Sequence, residues 1–162
     1  MDRTFSRRII LGLSLGVAFG LALPEPAAAQ GAGPFQFHTL TPCRLVDTRN
    51  PNGPSGGPIL ASLATRSFPV QGLCGVPVGA KAVAINVTAV GPNGQGYITL
   101  FPSGGTQPLV SSLNYDAGEP ALGNGGIVPL SANPQDLSVF AFCNVPSGGA
   151  VHMVLDVTGY FQ

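Results

Sequence analysis

Glycine and proline divide the chain from residue 35 onward into short segments, with 23 glycines and 16 prolines among 162 residues. Both weaken helix interiors, by about 1 and about 3 kcal/mol respectively, and both favour tight turns. Turn signals fall at Asn52-Gly53, Gly56-Gly57, Asn93-Gly94, Gly104-Gly105, Asn124-Gly125-Gly126 and Gly148-Gly149. Between them the sequence predicts nine strands, over residues 35–40, 43–48, 66–70, 82–90, 96–101, 109–115, 126–130, 137–144 and 151–161. Nine short strands with no helical segment between them specify an all-β fold, a single antiparallel β-sandwich or jelly-roll-like domain.

Alternation supports strands over helices. In segment 83–89, Val83, Ile85, Val87 and Ala89 share one face while Ala84, Asn86 and Thr88 take the other. Segment 151–157 divides the same way, with Val151, Met153, Leu155 and Val157 opposed to His152, Val154 and Asp156. Such period-two patterns mark half-buried strands. Segment 137–143 differs, because Phe140 and Phe142 lie opposite Val139 and Ala141 and make both faces apolar. That strand is either central and covered twice, or one face meets another subunit. A short internal echo, Asn86-Val-Thr-Ala-Val90 with Asp156-Val-Thr-Gly-Tyr160, is too brief to define a repeat array.

Residues 1–29 read as a cleaved export signal: a basic start at Arg3, Arg7 and Arg8, an uncharged apolar run over 9–23, and Ala27-Ala28-Ala29 before Gln30. The 15-residue run is short for a membrane span, which takes about 20 residues. The alternative is an uncleaved anchor, disfavoured by Pro24 and Pro26. Ser6-Arg7-Arg8-Ile9-Ile10-Leu11 is similar to a twin-arginine signal, with Ile10 and Gly12 departing from the usual pattern. Residues 30–34 form a flexible leader and 35–162 the β-domain. The expected location is therefore outside the cell or on its surface.

After residue 29 the chain keeps four basic residues (Arg44, Arg49, Arg66, Lys81) and five acidic ones (Asp47, Asp116, Glu119, Asp136, Asp156). An average globular protein has about a quarter of its residues charged. So small and balanced a charge argues against nucleic acid or an anionic membrane as partner. It also leaves few charges to blunt exposed strand edges, which favours self-association or attachment to a surface. A homo-oligomer or filament is one expected partner state, and a cell-surface polysaccharide is another. Phe35, Phe37, Phe140 and Phe142 are the apolar residues best placed for self-association, the first two on a strand that can pair at home or be donated to a neighbour.

Three cysteines allow one internal disulfide and leave one thiol over. Cys43 and Cys74 are the preferred pair, both beside turn-forming residues near strand ends. Cys143 alternates with Leu137, Val139 and Ala141, which reads as a buried core thiol, with an intermolecular bridge or nucleophile as the alternatives. No Cys/His cluster suggests a metal, and no pattern implies a cofactor.

Three of the nine charges after residue 29, Arg44, Asp47 and Arg49, fall within the eight residues Pro42-Cys-Arg-Leu-Val-Asp-Thr-Arg49. In an extended strand Asp47 and Arg49 share a face and Arg44 takes the other. Asp47 can then hold Arg49, or another arginine if the strand bends, through a fork of two hydrogen bonds. Alternatively, Arg44 or Arg49 grips an acidic or sugar ligand. A second candidate is Asn114-Tyr-Asp-Ala-Gly-Glu119, where Tyr115 can stack on a sugar ring and Asp116 can bind its hydroxyls or calcium. A polar turn is the simpler account of that segment. His38 and His152 lack a Gly-x-Ser-x-Gly turn or another nucleophile motif beside them.

The octapeptide, together with Cys74-Gly-Val-Pro77, Ala84-Ile-Asn-Val-Thr-Ala-Val90 and the ending Asp156-Val-Thr-Gly-Tyr-Phe161, resembles a module of exported bacterial proteins. The module recurs singly or appended to larger secreted and cell-surface proteins. The resemblance spans nearly all of residues 30–162 and implies an extracellular β-domain with a Cys43–Cys74 disulfide; Cys143 is outside its pattern. It implies no activity for particular residues. The expected function is a non-enzymatic extracellular structural or surface-interaction module. A carbohydrate-binding module built on Tyr115, Asp116 and Arg44 is the alternative, and a secreted hydrolase using His152 and Asp156 comes third.

Overall fold

The computed structural model describes residues 33–162; residues 1–29, expected as an export signal, and most of the expected leader lie outside the described residues. Nine strands follow in order: β1 Phe37–Asp47, β2 Leu60–Ala61, β3 Ala64–Phe68, β4 Ala82–Val90, β5 Gly96–Pro102, β6 Leu113–Tyr115, β7 Leu122–Pro129, β8 Leu137–Cys143 and β9 Ala150–Phe161. They form two antiparallel sheets. The five-stranded sheet runs β1-β9-β4-β7, with β2 also on β9, and the four-stranded sheet runs β3-β8-β5-β6. The fold is an all-β sandwich.

The alternating residues of β4 and β9 fill the inner face of the first sheet: Val83, Ile85, Val87, Ala89, Val151, Met153, Leu155 and Val157 are all buried. Leu137, Val139, Ala141 and Cys143 of β8, with Ile98 and Leu100 of β5 and Phe68 of β3, face them from the second. Burial of each large aliphatic or aromatic side chain contributes about 1.5–3 kcal/mol, so this shared layer holds the sandwich together. Cys143 belongs to it as a free, buried thiol. Cys43 and Cys74 are joined across a separation of 31 residues with Cα atoms 5.7 Å apart, tying β1 to the connection between β3 and β4.

Four elements differ from the sequence expectation, of which β2, Leu60–Ala61, lies outside all nine expected segments. The segments 35–40 and 43–48 are one strand, β1, whose register against β9 shifts between Thr39 and Cys43 and again between Arg44 and Val46. Pro42 falls in the first shift, where a missing N–H costs no ladder bond. Residues 106–112 leave the sheet, so the expected strand 109–115 shrinks to β6; Ser112 Oγ instead accepts from the Leu100 amide at 2.9 Å. Conversely, Asn124-Gly125-Gly126 is not a turn but the interior of β7, paired with Val87, Asn86 and Ile85. None of its glycines has a positive φ. Close packing acts instead at neighbouring Gly123, where a Cβ would lie 3.3 Å from the side chains of Asn86 and Thr88, whereas a Cβ on Gly126 would meet nothing within 4 Å.

Candidate functional site

The charged octapeptide occupies the second register shift of β1. Arg44 opposes Asp156 and Val46 opposes Leu155, so two steps along β1 match one along β9. This bulge buries both Leu45 and Val46 and rotates Asp47 to the side of Arg44. Expected strict alternation, which separates Arg44 from Asp47, is thereby overturned: Arg44 Nη1 lies 3.5 Å from Asp47 Oδ2. Arg44 also donates from Nε and Nη2 to the two oxygens of Asp156, at 2.9 and 3.2 Å. Arg49 donates from Nε and Nη2 to Asp47 at 2.8 and 2.6 Å, and its amide donates to Oδ1 at 3.1 Å.

Those Arg49 hydrogen bonds hold the Asp47 carboxyl down to about 2, against the opposing effect of burial. Each arginine fork is occupied by an aspartate of the same chain. The geometry is that of a clamp fixing the end of β1 on β9, and neither Arg44 nor Arg49 presents an unoccupied fork to a ligand. Next to it, Thr48 Oγ1 accepts from the Met153 amide at 2.8 Å and lies 3.2 Å from His152 Nδ1. His152 and Asp156 are thus engaged with different partners, Thr48 and Arg44, and the structure does not bring them together as a hydrolytic pair.

The proposed sugar contact at Tyr115 requires correction. In β6, Leu113 and Tyr115 oppose Ile98 and Gly96, whereas Asn114 opposes Tyr97. Tyr115 therefore points into the core and is 3% exposed. Its hydroxyl donates to the Phe142 carbonyl at 2.8 Å and lies 3.1 Å from Cys143 Sγ. Burial first, then the contact with Cys143, raises its pKa far above the ordinary tyrosine value. Asp116 remains exposed and accepts from Gln95 Nε2 at 3.1 Å, on the opposite sheet from Arg44. Tyr115, Asp116 and Arg44 do not form one site. Among the described residues no group of three or more His, Cys, Asp or Glu is placed to hold a metal ion.

Phe37 pairs with Phe161 within the same chain, their rings 5.0 Å apart, while Phe35 stays partly exposed ahead of β1. His38 stacks on Tyr160 at 4.8 Å. Phe140 and Phe142 lie on the outer face of the four-stranded sheet. Their strand, β8, is central between β3 and β5, and their outer side is half-covered by Tyr97 at 6.0 and 5.4 Å. Tyr97 was not among the expected site residues; it alternates along β5 with Thr99 and Phe101, the pattern that places it on this face.

The edge strand β1 is broken by two shifts, carries Pro42 and bears Arg44. β3 bears Arg66, whose guanidinium donates to the carbonyls of Gly53 and Pro58 at 2.7 and 2.9 Å and covers the Phe68 ring. β6 is three residues long. All three are blunted in ways that obstruct pairing with another chain. β7 is blunted only at its end, by Pro129: its eight residues have no charge, only Val128 is buried, and its register with β4 is unbroken from Ala82↔Pro129 to Ala89↔Leu122. Ile127 on its outer face is 64% exposed.

No protein-family model matches the chain, and no curated protein does. Among solved structures, the chain is similar to the coat protein of Tobacco streak virus in its C2 crystal form, with a TM-score of 0.42 and 11% identity over 88% of this chain and 90% of that one. The coat protein dimer of the same virus gives a TM-score of 0.35 and 9% identity, covering 80% and 90%.

Proposed function

We propose that this chain is a non-enzymatic, extracellular structural module that self-associates through β7. The observation that carries the reading is the contrast between one uninterrupted, charge-free edge and three blunted ones. An exposed edge offers a row of unpaired N–H and C=O groups, and a second copy of the same strand supplies their complement. Antiparallel pairing of β7 with its own copy is isologous and closes as a two-fold dimer, joining two five-stranded sheets into one. Export is supported by the basic start and apolar run of residues 1–29 and by the Cys43–Cys74 disulfide, a bond that persists in oxidising compartments. The resemblance to a module of exported bacterial proteins supports the same location.

The experiment is sedimentation velocity of the purified protein across the micromolar range, beside Ile127→Lys. Ile127 is exposed and outward, so a lysine there charges the edge without opening the core. The wild type is expected to shift toward twice the chain mass as concentration rises, and the variant to remain a monomer. A wild type that stays monomeric throughout contradicts the reading.

A further inference from the structure

The outer face of the four-stranded sheet carries a groove that reaches β7 only at its first residue, Leu122. Its floor is formed by Tyr97 and Phe142, with ring centroids 5.4 Å apart and planes tilted by 35°. Asn114, Asp116, Glu119 and Asn144 stand around this floor and enclose about 490 Å³. A second hollow of about 290 Å³ continues past Tyr97 and Asn114, which line both, and is walled by residues 107–111. Ligand sites of this size combine an apolar surface with a few converging polar groups.

We infer that this groove binds a neutral oligosaccharide. Three features select that class. First, a pyranose ring presents a face of C–H bonds, and the electron-rich faces of Tyr97 and Phe142 complement it. Second, sugar hydroxyls need both donors and acceptors: the amides of Asn114 and Asn144 supply both and the Glu119 carboxylate accepts, and none of these side chains hydrogen-bonds within the described residues. Third, Asp116 and Glu119 are the only charged residues lining either hollow, so a uronic acid or sulfated sugar is repelled. Continuity of the two hollows through Tyr97 favours several linked units over a monosaccharide, and stacking of successive rings is geometrically matched to β-linked chains, whose flat faces recur along one side.

The floor exists because of register. β5 and β8 pair Tyr97 with Phe142, and β6 adds Asn114 beside Tyr97, which lines up an aromatic pair and an amide across three strands. Thr99 donates from Oγ1 to the Val110 carbonyl at 2.7 Å and anchors the segment that forms the far wall. Leu109 at its tip is fully exposed and Val110 largely so, extending the apolar contact surface at that end.

The test is isothermal titration of the full protein with cellohexaose, chitohexaose, glucose and polygalacturonate, beside Tyr97→Ala, Asn114→Ala and Ile127→Lys. One of the two neutral hexasaccharides is expected to bind more tightly than glucose, with no binding of polygalacturonate. Tyr97→Ala removes one of the two rings of the floor and is expected to weaken binding up to about tenfold. Asn114→Ala, at an exposed position, is expected to weaken it without altering the thermal midpoint, which keeps the test open if Tyr97→Ala misfolds. Ile127→Lys is expected to leave binding unchanged, so failure of the groove and failure of the dimer are read separately. Absence of binding to either hexasaccharide, binding indifferent to both groove substitutions, or preference for polygalacturonate overturns the inference.

Discussion

Asp47 and Arg49, two positions apart at the end of β1, form a two-point ion pair with contacts of 2.8 and 2.6 Å. Asp47 is 6% exposed, and the arginine is what makes its burial as a carboxylate tolerable. Because the pair sits just beyond the Leu45 bulge, it fixes the chain where β1 leaves the sheet.

The pH dependence follows from the lowered Asp47 value. The folded state holds this carboxyl at about 2, below its ordinary 3.8. The stabilisation is therefore complete above about pH 4 and is lost as pH falls through about 2. With Arg49 half-exposed to solvent, a contribution on the order of 1–2 kcal/mol is expected. Urea unfolding at neutral pH and at stepwise lower pH checks this: Asp47→Asn lowers the neutral midpoint and flattens the loss on the acid side. A variant with the wild-type profile contradicts the assignment.

Breaking the Cys43–Cys74 bond releases a loop of 31 residues in the unfolded chain. The chain-entropy model gives a loss of about 3–4 kcal/mol for such a loop. A Cys43→Ser, Cys74→Ser double variant should unfold at correspondingly lower denaturant, whereas Cys143→Ala should cost less and leave the protein's single disulfide intact by mass.

Gly96 opposes Tyr115 on β6 and Cys143 on β8, and a Cβ there would collide with the Phe142 carbonyl, the acceptor of the Tyr115 hydroxyl. Gly96→Ala is expected to destabilise by more than about 2 kcal/mol, through backbone displacement rather than lost contacts. Thermal unfolding of Gly96→Ala beside Gly126→Ala, where a Cβ meets nothing within 4 Å, separates steric from generic glycine effects.

Tyr115→Phe and Tyr97→Phe should diverge. The first removes a buried hydroxyl and leaves the Phe142 carbonyl and Cys143 thiol without that partner, at a cost of about 1–2 kcal/mol. The second alters an outward ring and is expected to change stability by less than about 0.5 kcal/mol. Chemical denaturation of the two variants checks the order.

The sandwich was legible wherever one face of a strand is buried and the other wet. Val83 to Ala89 and Val151 to Val157 alternate because the core demands it, and Cys143 could be placed from its neighbours Val139 and Ala141. What escaped depends on partners distant in sequence. The bulge that brings Arg44 beside Asp47 is set by the β9 register, and nothing local announces Asp156 as the other half of the clamp. Asn124-Gly125-Gly126 reads locally as a turn because glycine suits both a turn and a strand; the pairing of these residues with Val87, Asn86 and Ile85 across the ladder decides between them. Tyr115 looked available because its neighbours Asn114 and Asp116 are polar, yet its period-two partner is Leu113, which marks it as inward. Tyr97 became a groove floor only when Phe142 was placed beside it.

Amide hydrogen exchange of β7, followed as a function of protein concentration, tests the self-association through this edge most directly. Amides of residues 122–129 that face away from β4 have no backbone partner within the described chain, and pairing with a second copy must protect them. The account predicts that their exchange slows as concentration rises through the micromolar range, and that Ile127→Lys abolishes the slowing. Exchange of these amides at one fixed fast rate at every concentration would contradict it.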